Sequence, residues 1–388
     1  MKLKVGLFFG GRSTEHEVSV ITALQASENL DRSKYEVVPI YVSKSGQFYS
    51  DPKFLELKNY QGLDQLLLST PESILSEKNK QGGLTVAKFL PKFTPIDIAM
   101  PLFHGSFGED GCIQGVFETY QIPYTGLNVI GSAIAMDKVA SKYLFKGLGF
   151  KVADWVAVKR NDWNLDQAKV LKEIQESLKY PVFVKPATIG SSIGANKAKN
   201  EDELQFNLEV AFTYSDKVIV EACFEGKIEV NCSARGYKEI TASVCEMPVS
   251  SGDLLSFEDK YQRGGKGSKG SGMASLSRVI PAPISSRLTK EIQEATIKIF
   301  KALDGGGVAR VDFFVDAEKE TFWINEVNSP PGSLSFYLWE PAGVKFKELL
   351  DGMITDALSR AEDQKKTQYT FDSGLLEIMA LKGETRSK

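Results

Sequence analysis

Two short runs between Val308 and Asn328 constrain this chain more than any other stretch. The first reads Val308-Ala309-Arg310-Val311-Asp312-Phe313-Phe314-Val315, and the second Thr321-Phe322-Trp323-Ile324-Asn325-Glu326-Val327-Asn328. Both read as strands. In a strand, residues two apart share a face, so Arg310 stands with Asp312, and Glu326 with Asn328. Paired as a hairpin, the runs put a guanidinium and three oxygen donors on one face. Hard oxygens suit Mg²⁺, which takes one or two carboxylates and completes its shell with water and phosphate. An arginine beside them suits a reaction in which negative charge grows on oxygen. An ordinary charged strand face in water would show the same letters, so the rest of the sequence has to separate the two readings.

A chain of 388 residues predicts two or three domains at about 100–200 residues each. The net charge of −3 supplies no basic field to recruit nucleic acid or an acidic membrane. The opening apolar run, ending at Gly10, reads as a buried first strand, too short for a signal peptide core or a membrane span. The four cysteines (Cys112, Cys223, Cys232 and Cys245) form no C-x-x-C pair and read as reduced thiols of a cytoplasmic protein. With only His16 and His104 present, a histidine-rich zinc site is excluded.

Residues 3–10 read as a parallel-type strand leading into Gly10-Gly11-Arg12-Ser13-Thr14-Glu15-His16-Glu17. A helix is expected from about Val18 to Leu30, with Ser13 and Thr14 as N-caps and acids complementing its dipole. Strands follow at Tyr35–Val42 and Ile96–Leu102, with a polar, irregular stretch at about 50–92 between them. This β-α-β order implies an open doubly wound sheet with ligand groups at strand ends. Past Gly126, helices are expected at 132–147 and 165–178. Strands are expected at 151–158, 181–185, 217–221 and 227–235, and a further helix at 289–303. The glycine-rich stretch 261–272 reads as a mobile loop carrying Lys266 and Lys269, with Lys260 at its edge, and residues after about 365 as a loosely held tail.

A metal face needs a phosphate partner. Neither G-x-x-x-x-G-K-[ST] nor G-x-G-x-x-G occurs. Instead Lys185 stands at a strand end, followed by Gly190-Ser191-Ser192-Ile193-Gly194, where small residues let backbone N–H groups approach phosphate. The same pentapeptide matches G-x-S-x-G, but Pro186 to Ile189 separate it from its strand. Both histidines also lie upstream of the serine, so a hydrolase nucleophile elbow is rejected.

Together these pieces resemble the D-alanine–D-alanine ligase family of the ATP-grasp superfamily. The resemblance rests on Gly10 to Ser19, His104-Gly105-Ser106-Phe107-Gly108-Glu109-Asp110-Gly111, Ile122-Pro123-Tyr124-Thr125-Gly126 and Met136-Asp137-Lys138. It continues through Lys185-Pro186 with Gly190-Ser191-Ser192, Asp259-Lys260-Tyr261, Arg310 to Phe314 and Glu326-Val327-Asn328. It covers residue 5 to about 350. It implies an α/β, three-domain ATP-grasp ligase with an N-terminal doubly wound preATP-grasp domain (1–126). A central ATP-grasp subdomain (127–225), a C-terminal subdomain with the metal and oxyanion residues (226–365) and a tail (366–388) would follow.

The resemblance implies ATP, with Lys138 and Lys185 on its phosphates, Glu229 on the ribose, and Glu221 and the backbone near Phe224 at the adenine. Ser192, Lys260, Phe314 and Asn325 would also line the nucleotide site. Asp312, Glu326 and Asn328 would hold two Mg²⁺ ions, Mn²⁺ being an alternative. A first D-alanine, its ammonium on Glu15, would become an acyl phosphate. The amine of a second would then attack, the oxyanion being met by Arg310 and the Gly332 N–H. Ser191 would link Glu15 to Tyr261 on a lid that excludes water. Glu15 also reads as a plain helix N-terminal acid, and His104 as a structural turn residue or a group near the acyl carbon. The implied partners are D-alanine and ATP, without nucleic acid or membrane insertion, in a cytoplasmic homodimer formed through the first domain.

Two departures stand out. Between Gly332 and the following helix the segment is about four residues shorter than the family's, leaving Ser335 or Tyr337 to replace in part a serine that binds the second carboxylate. The lid is about ten residues longer. The resemblance therefore implies D-alanyl-D-alanine synthesis for peptidoglycan, or a related ligase with another second substrate. A regulatory protein without turnover is disfavoured, since it has no need of an oxyanion donor.

Overall fold

The apolar run at the start of the chain forms β1 (Leu3–Gly10), buried from Val5 onward. It belongs to the first of three sheets in a computed structural model that describes residues 2–78, 81–87, 91–224, 226–249 and 278–384. The chain continues through β2 (Tyr35–Val42), β3 (Phe48–Tyr49), β4 (Glu72–Lys78), β5 (Gln81–Val86), β6 (Lys92–Pro95) and β7 (Ile98–Pro101). Their order across the sheet is β6-β5-β4-β3-β2-β1-β7. The expected doubly wound part is the parallel β2-β1-β7 trio. The stretch expected to be irregular instead adds antiparallel strands at the far edge, so the expected third strand is the seventh.

At the C-terminal end of β1, Gly10 and Gly11 take φ of +90° and +94°, and a Cβ on Gly10 would lie 2.3 Å from the Val42 carbonyl. Glycine is required there for the chain to turn into the helix His16–Asn29. That helix starts two residues earlier than expected, and neither Ser13 nor Thr14 is its cap. The residue before it is Glu15, whose N–H donates to Ser13 Oγ at 3.0 Å.

The second sheet holds β8 (Trp155–Lys159), β9 (Val182–Pro186), β10 (Asn196–Ala198) and β11 (Lys217–Ala222), antiparallel in the order β10-β9-β11-β8. The third holds β12 (Ile228–Gly236), β13 (Thr241–Pro248), β14 (Arg278–Val279), β15 (Gly307–Asp316) and β16 (Thr321–Asn328), in the order β14-β13-β12-β15-β16. The helix expected over 132–147 is two, Val129–Met136 and Lys138–Gly147. Asp137 breaks it by accepting from the Val139 and Ala140 N–H groups at 3.0 and 3.1 Å. The helix expected over 165–178 is Gln167–Ser177, capped by Asp166, and a further short helix, Arg160–Leu165, precedes it. The strand expected from 151 begins at Trp155, with Val152 forming only an isolated bridge to Ile324.

The sheets do not keep separate cores throughout. Val5, Leu7 and Met100 of the first sheet share one apolar cluster with Leu334, Trp339 and Leu349 near the C-terminus. The helix Phe346–Gln364 is tied to the end of the first sheet by Arg360, which donates to the carbonyls of Tyr124 at 2.6 Å and Gly126 at 2.8 Å. No described helix is long and apolar enough to cross a membrane. Beyond it, a last helix, Leu375–Glu384, leaves Leu376 and Met379 exposed.

Candidate active site

The runs Val308–Val315 and Thr321–Asn328 pair within the antiparallel hairpin β15–β16, with Arg310 opposite Asn328 and Asp312 opposite Glu326. Arg310 grips Asp312 with two hydrogen bonds, Nε to Oδ1 at 2.6 Å and Nη2 to Oδ2 at 2.8 Å. Asn328 Nδ2 adds a third at 2.9 Å to Oδ2. A bidentate charged pair of this kind fixes the guanidinium plane. The remaining nitrogen, Nη1, is buried and has no partner among the described residues, although the Arg310 side chain lines the cleft. An orphaned buried donor is costly unless something is meant to meet it.

Plain alternation would put Ile324 on the face of Glu326. The pairing instead slips between Asp312 and Phe313, leaving Asn325 as an extra, bulged residue. Ile324 then joins Phe313 in the core, while Trp323 stands opposite Phe314. Phe224 packs against both, its ring centroid 5.1 Å from that of Phe314 and 5.0 Å from that of Trp323. Asn325 and Glu326 both reach the cleft.

That cleft has two adjoining parts. One is lined by Lys138, Lys185, Ser192, Glu229, Asp312, Phe314, Asn325 and Glu326, among others, so eight of the expected nucleotide and metal residues meet there. Lys185 Nζ lies 2.6 Å from Glu221 Oε2 and 3.5 Å from Asn325 Oδ1. Burial works against the charge on Lys185, but Glu221 and Glu326 outweigh it and its pKa is raised. Burial would likewise raise Glu221, but Lys142 and Lys185 hold it down at about 2. Glu221 itself is buried between those lysines and lies behind the cleft wall. Lys138, the first residue of its helix after the capping Asp137, donates to the Ile189 carbonyl at 2.7 Å and stands 3.5 Å from Glu326 Oε2.

The other part is lined by Glu15, His104, Glu109, Ser191, Arg310 and Gly332, with Lys138 and Glu326 shared. Ser191 Oγ donates to Glu15 Oε1. Ser191 and Ser192 hold left-handed backbone at φ of 52° and 59°, which turns the Gly190–Gly194 loop over the cleft. His104 is buried; desolvation, aided by the nearby Arg310 charge, lowers its pKa to about 4, so it is neutral near pH 7. Its Nε2 pairs with Thr22 Oγ1 at 3.0 Å, and Thr22 Oγ1 accepts from the Ser333 N–H at 3.4 Å. Burial and the adjacent Glu15 raise the Glu109 carboxyl, which accepts from the Gly105 N–H at 2.5 Å.

Lys260, Tyr261 and the rest of the glycine-rich loop lie outside the described residues. Of the proposed replacements for the second carboxylate's serine, Ser335 is fully buried, its hydroxyl unpartnered among the described residues, and Tyr337 lies beneath the Arg278 guanidinium, 3.6 Å from its ring centroid. Neither lines the cleft. Sequence reasoning missed Thr22 and Lys142, which act through neighbours distant in the chain. It quoted Glu109 in a motif without giving it a place.

The donors suit Mg²⁺ bound with a phosphate. Asp312, Glu326 and Asn328 are hard oxygen donors side by side. No group of three or more His, Cys, Asp and Glu side chains among the described residues would hold a metal unaided. A cation here therefore has to complete its shell with phosphate oxygens and water.

Comparison with known proteins agrees with this geometry. Residues 4–127 match the family model described as D-ala D-ala ligase N-terminus, and 144–355 the model described as D-ala D-ala ligase C-terminus. A D-alanine–D-alanine ligase of Thermosipho africanus is 37% identical over 376 residues, covering 97% of this chain and 99% of the relative. One from Natranaerobius thermophilus is 36% identical over 379 residues, covering 95% and 99%. Among solved structures, the D-alanine-D-alanine ligase of Coxiella burnetii superposes with a TM-score of 0.79 at 26% identity, covering 99% of both chains. The VanG D-Ala:D-Ser ligase of Enterococcus faecalis gives 0.78 at 31%, covering 92% of this chain and all of that one.

Proposed function

The chain belongs to the D-alanine–D-alanine ligase family, and from that premise we propose that it uses ATP to join two D-alanine molecules into D-alanyl-D-alanine for peptidoglycan. The observation that carries this reading is Arg310: its guanidinium is fixed by Asp312, and its remaining Nη1 is buried beside the cleft that Glu15 and Gly332 line.

The first D-alanine places its ammonium on Glu15, oriented by Ser191, and its carboxylate toward Lys138. That carboxylate oxygen forms a bond to the γ-phosphorus of ATP as ADP leaves. Lys138 and Lys185 neutralise phosphate charge during the transfer. Mg²⁺, held by Asp312, Glu326 and Asn328, would supply further charge neutralisation and alignment of the phosphates. The ribose is held by Glu229. The base sits against Phe314, with Ser192, Asn325 and the backbone near Phe224 completing the nucleotide site, while Glu221, expected at the adenine, stands behind the wall between Lys142 and Lys185. Lys260 and Tyr261 belong to the same reading as lid residues.

The amine of the second D-alanine, having lost a proton, attacks the acyl carbon. A C–N bond forms and the carbonyl oxygen takes up negative charge; as the carbonyl re-forms, the acyl C–O bond breaks, and phosphate departs with its bonding pair and takes the proton the nitrogen sheds. Arg310 Nη1 and the Gly332 N–H donate to that oxygen. Such a donor is typically worth about 3–4 kcal/mol in the transition state, or roughly 10²–10³ in kcat. Arg310→Ala is therefore expected to lower kcat by that factor while leaving the ATP dissociation constant near wild type. An equal loss in both, or a wild type that releases no ADP with D-alanine, would overturn the reading.

The same reading places the enzyme in the cytoplasm, where ATP is available and where its four cysteines stay reduced. It also takes the chain to be a homodimer through the first domain, where Leu57, Leu68 and Ile74 leave apolar surface exposed. Sedimentation at twice the 42.8 kDa chain mass is expected, and a monomer at micromolar concentration would contradict it.

A further inference from the structure

Among the described residues the most deeply buried lysine has no place in the mechanism. Lys142, on the helix Lys138–Gly147, is 1% exposed. Its Nζ lies 2.9 Å from Glu221 Oε1, while Lys185 Nζ takes the other oxygen, Oε2, at 2.6 Å. One buried carboxylate thus carries two ammonium groups, one on each oxygen. The two lysines face different surroundings. Lys185 lines the nucleotide part of the cleft and also reaches toward Asn325. Lys142 stays behind the wall, with its ammonium 6.0 Å from the centroid of the Trp155 ring.

Burying a second lysine carries a cost, visible as a pKa lowered by desolvation despite the carboxylate beside it. A simple ion pair between Lys185 and Glu221 would not need it. The need arises when Lys185 turns to a phosphate and loosens its hold on Glu221. A buried carboxylate without a counter-charge is strongly unfavourable. Were Lys185 the sole counter-charge of Glu221, it would be trapped there.

We propose that Lys142 is the standing counter-charge of Glu221 and thereby releases Lys185 to the phosphates of ATP. Lys142 is a positioning residue: it meets neither nucleotide nor amino acid. The role rests on the reading in which Lys185 contacts phosphate.

Calorimetric titration of ATP and of adenosine into the wild type and the variants K142M, K142R, K185M, E221Q and K142M/E221Q tests it. K142M is expected to bind ATP at least about tenfold more weakly, a loss of about 1.4 kcal/mol or more, with adenosine affinity little changed. K142R, which keeps the charge, is expected to stay near wild type. The double variant is expected to bind ATP several-fold more tightly than K142M, because the neutral amide that E221Q introduces no longer traps Lys185. A merely structural Lys142 gives no such rescue. Wild-type ATP affinity in K142M, or a double variant no better than K142M, overturns the proposal. Wild-type ATP affinity in K185M removes the phosphate reading, and the proposal with it. K142M at wild-type affinity beside a weakened K185M removes only the role of Lys142. Thermal melts identify a variant that does not fold, in which case K142Q takes the place of K142M, alone and with E221Q.

Discussion

A single neutral histidine shows how the site sets charge residue by residue. Arg310 must stay cationic and aimed, and the group beside it, His104, is held uncharged by burial and by the same guanidinium. Its pKa near 4, against 6.5 for an ordinary histidine, has a consequence for stability. The unfolded chain takes up a proton as pH falls below about 6.5, whereas the folded chain does so only near 4. Stability is therefore lost as pH drops through that window and levels off below it. Removing the imidazole in His104→Gln is expected to flatten this part of the profile, by about 1–2 kcal/mol between pH 7 and pH 5. Urea denaturation of both proteins at the two pH values measures it. Parallel profiles would mean that His104 takes up its proton over the same pH range in the folded and the unfolded chain, contrary to its burial.

Strands and turns decide which of these residues meet. The hairpin face was legible because a period of two converts spacing directly into a shared face, and Arg310, Asp312, Glu326 and Asn328 do converge. The bulge at Asn325 was not, since alternation carries no mark of an inserted residue, and it is the bulge that brings Trp323 round to Phe314. Strands β4, β5 and β6 escaped because β4 and β6 are mostly exposed or half-buried and two of the three buried residues of β5 are glycines, which leaves little apolar pattern. Asp137 could have been read as a helix break from its capping chemistry alone. In the loop after β9, a Cβ on Gly190 would lie 2.7 Å from Glu15 Oε2. Crowding of this kind costs about 1–3 kcal/mol, and tenfold in affinity is about 1.4 kcal/mol. Gly190→Ala is thus expected to raise the KM for the first D-alanine about tenfold or more and to leave that for ATP nearly unchanged. An equal rise in both would place Gly190 in the nucleotide site instead.

Across the whole molecule, the site is assembled from all three sheets. Glu15, His104 and Glu109 come from the first, Lys185 and the Gly190–Gly194 loop from the second, and the hairpin from the third. The turn after Gly332 is anchored in the core of the first sheet by Leu334 and Trp339, and its Ser333 N–H is held by Thr22. The Thr22 contact links residues 311 positions apart, and Lys142 meets Glu221 from another element, so neither could be found by spacing, whereas the local motifs could. The assembly brings Glu15, Lys138, Lys185 and Arg310 into one cleft, where the proposed reading gives them ammonium, phosphate and oxyanion roles in a ligase reaction through an acyl phosphate. The direct test supplies ATP, Mg²⁺ and D-alanine labelled with ¹⁸O in its carboxylate as the sole amino acid, and follows products by mass spectrometry. The account predicts ADP and D-alanyl-D-alanine in equal amounts, with one labelled oxygen carried into each phosphate released. Dipeptide formed with unlabelled phosphate, or ADP released without dipeptide, would contradict it.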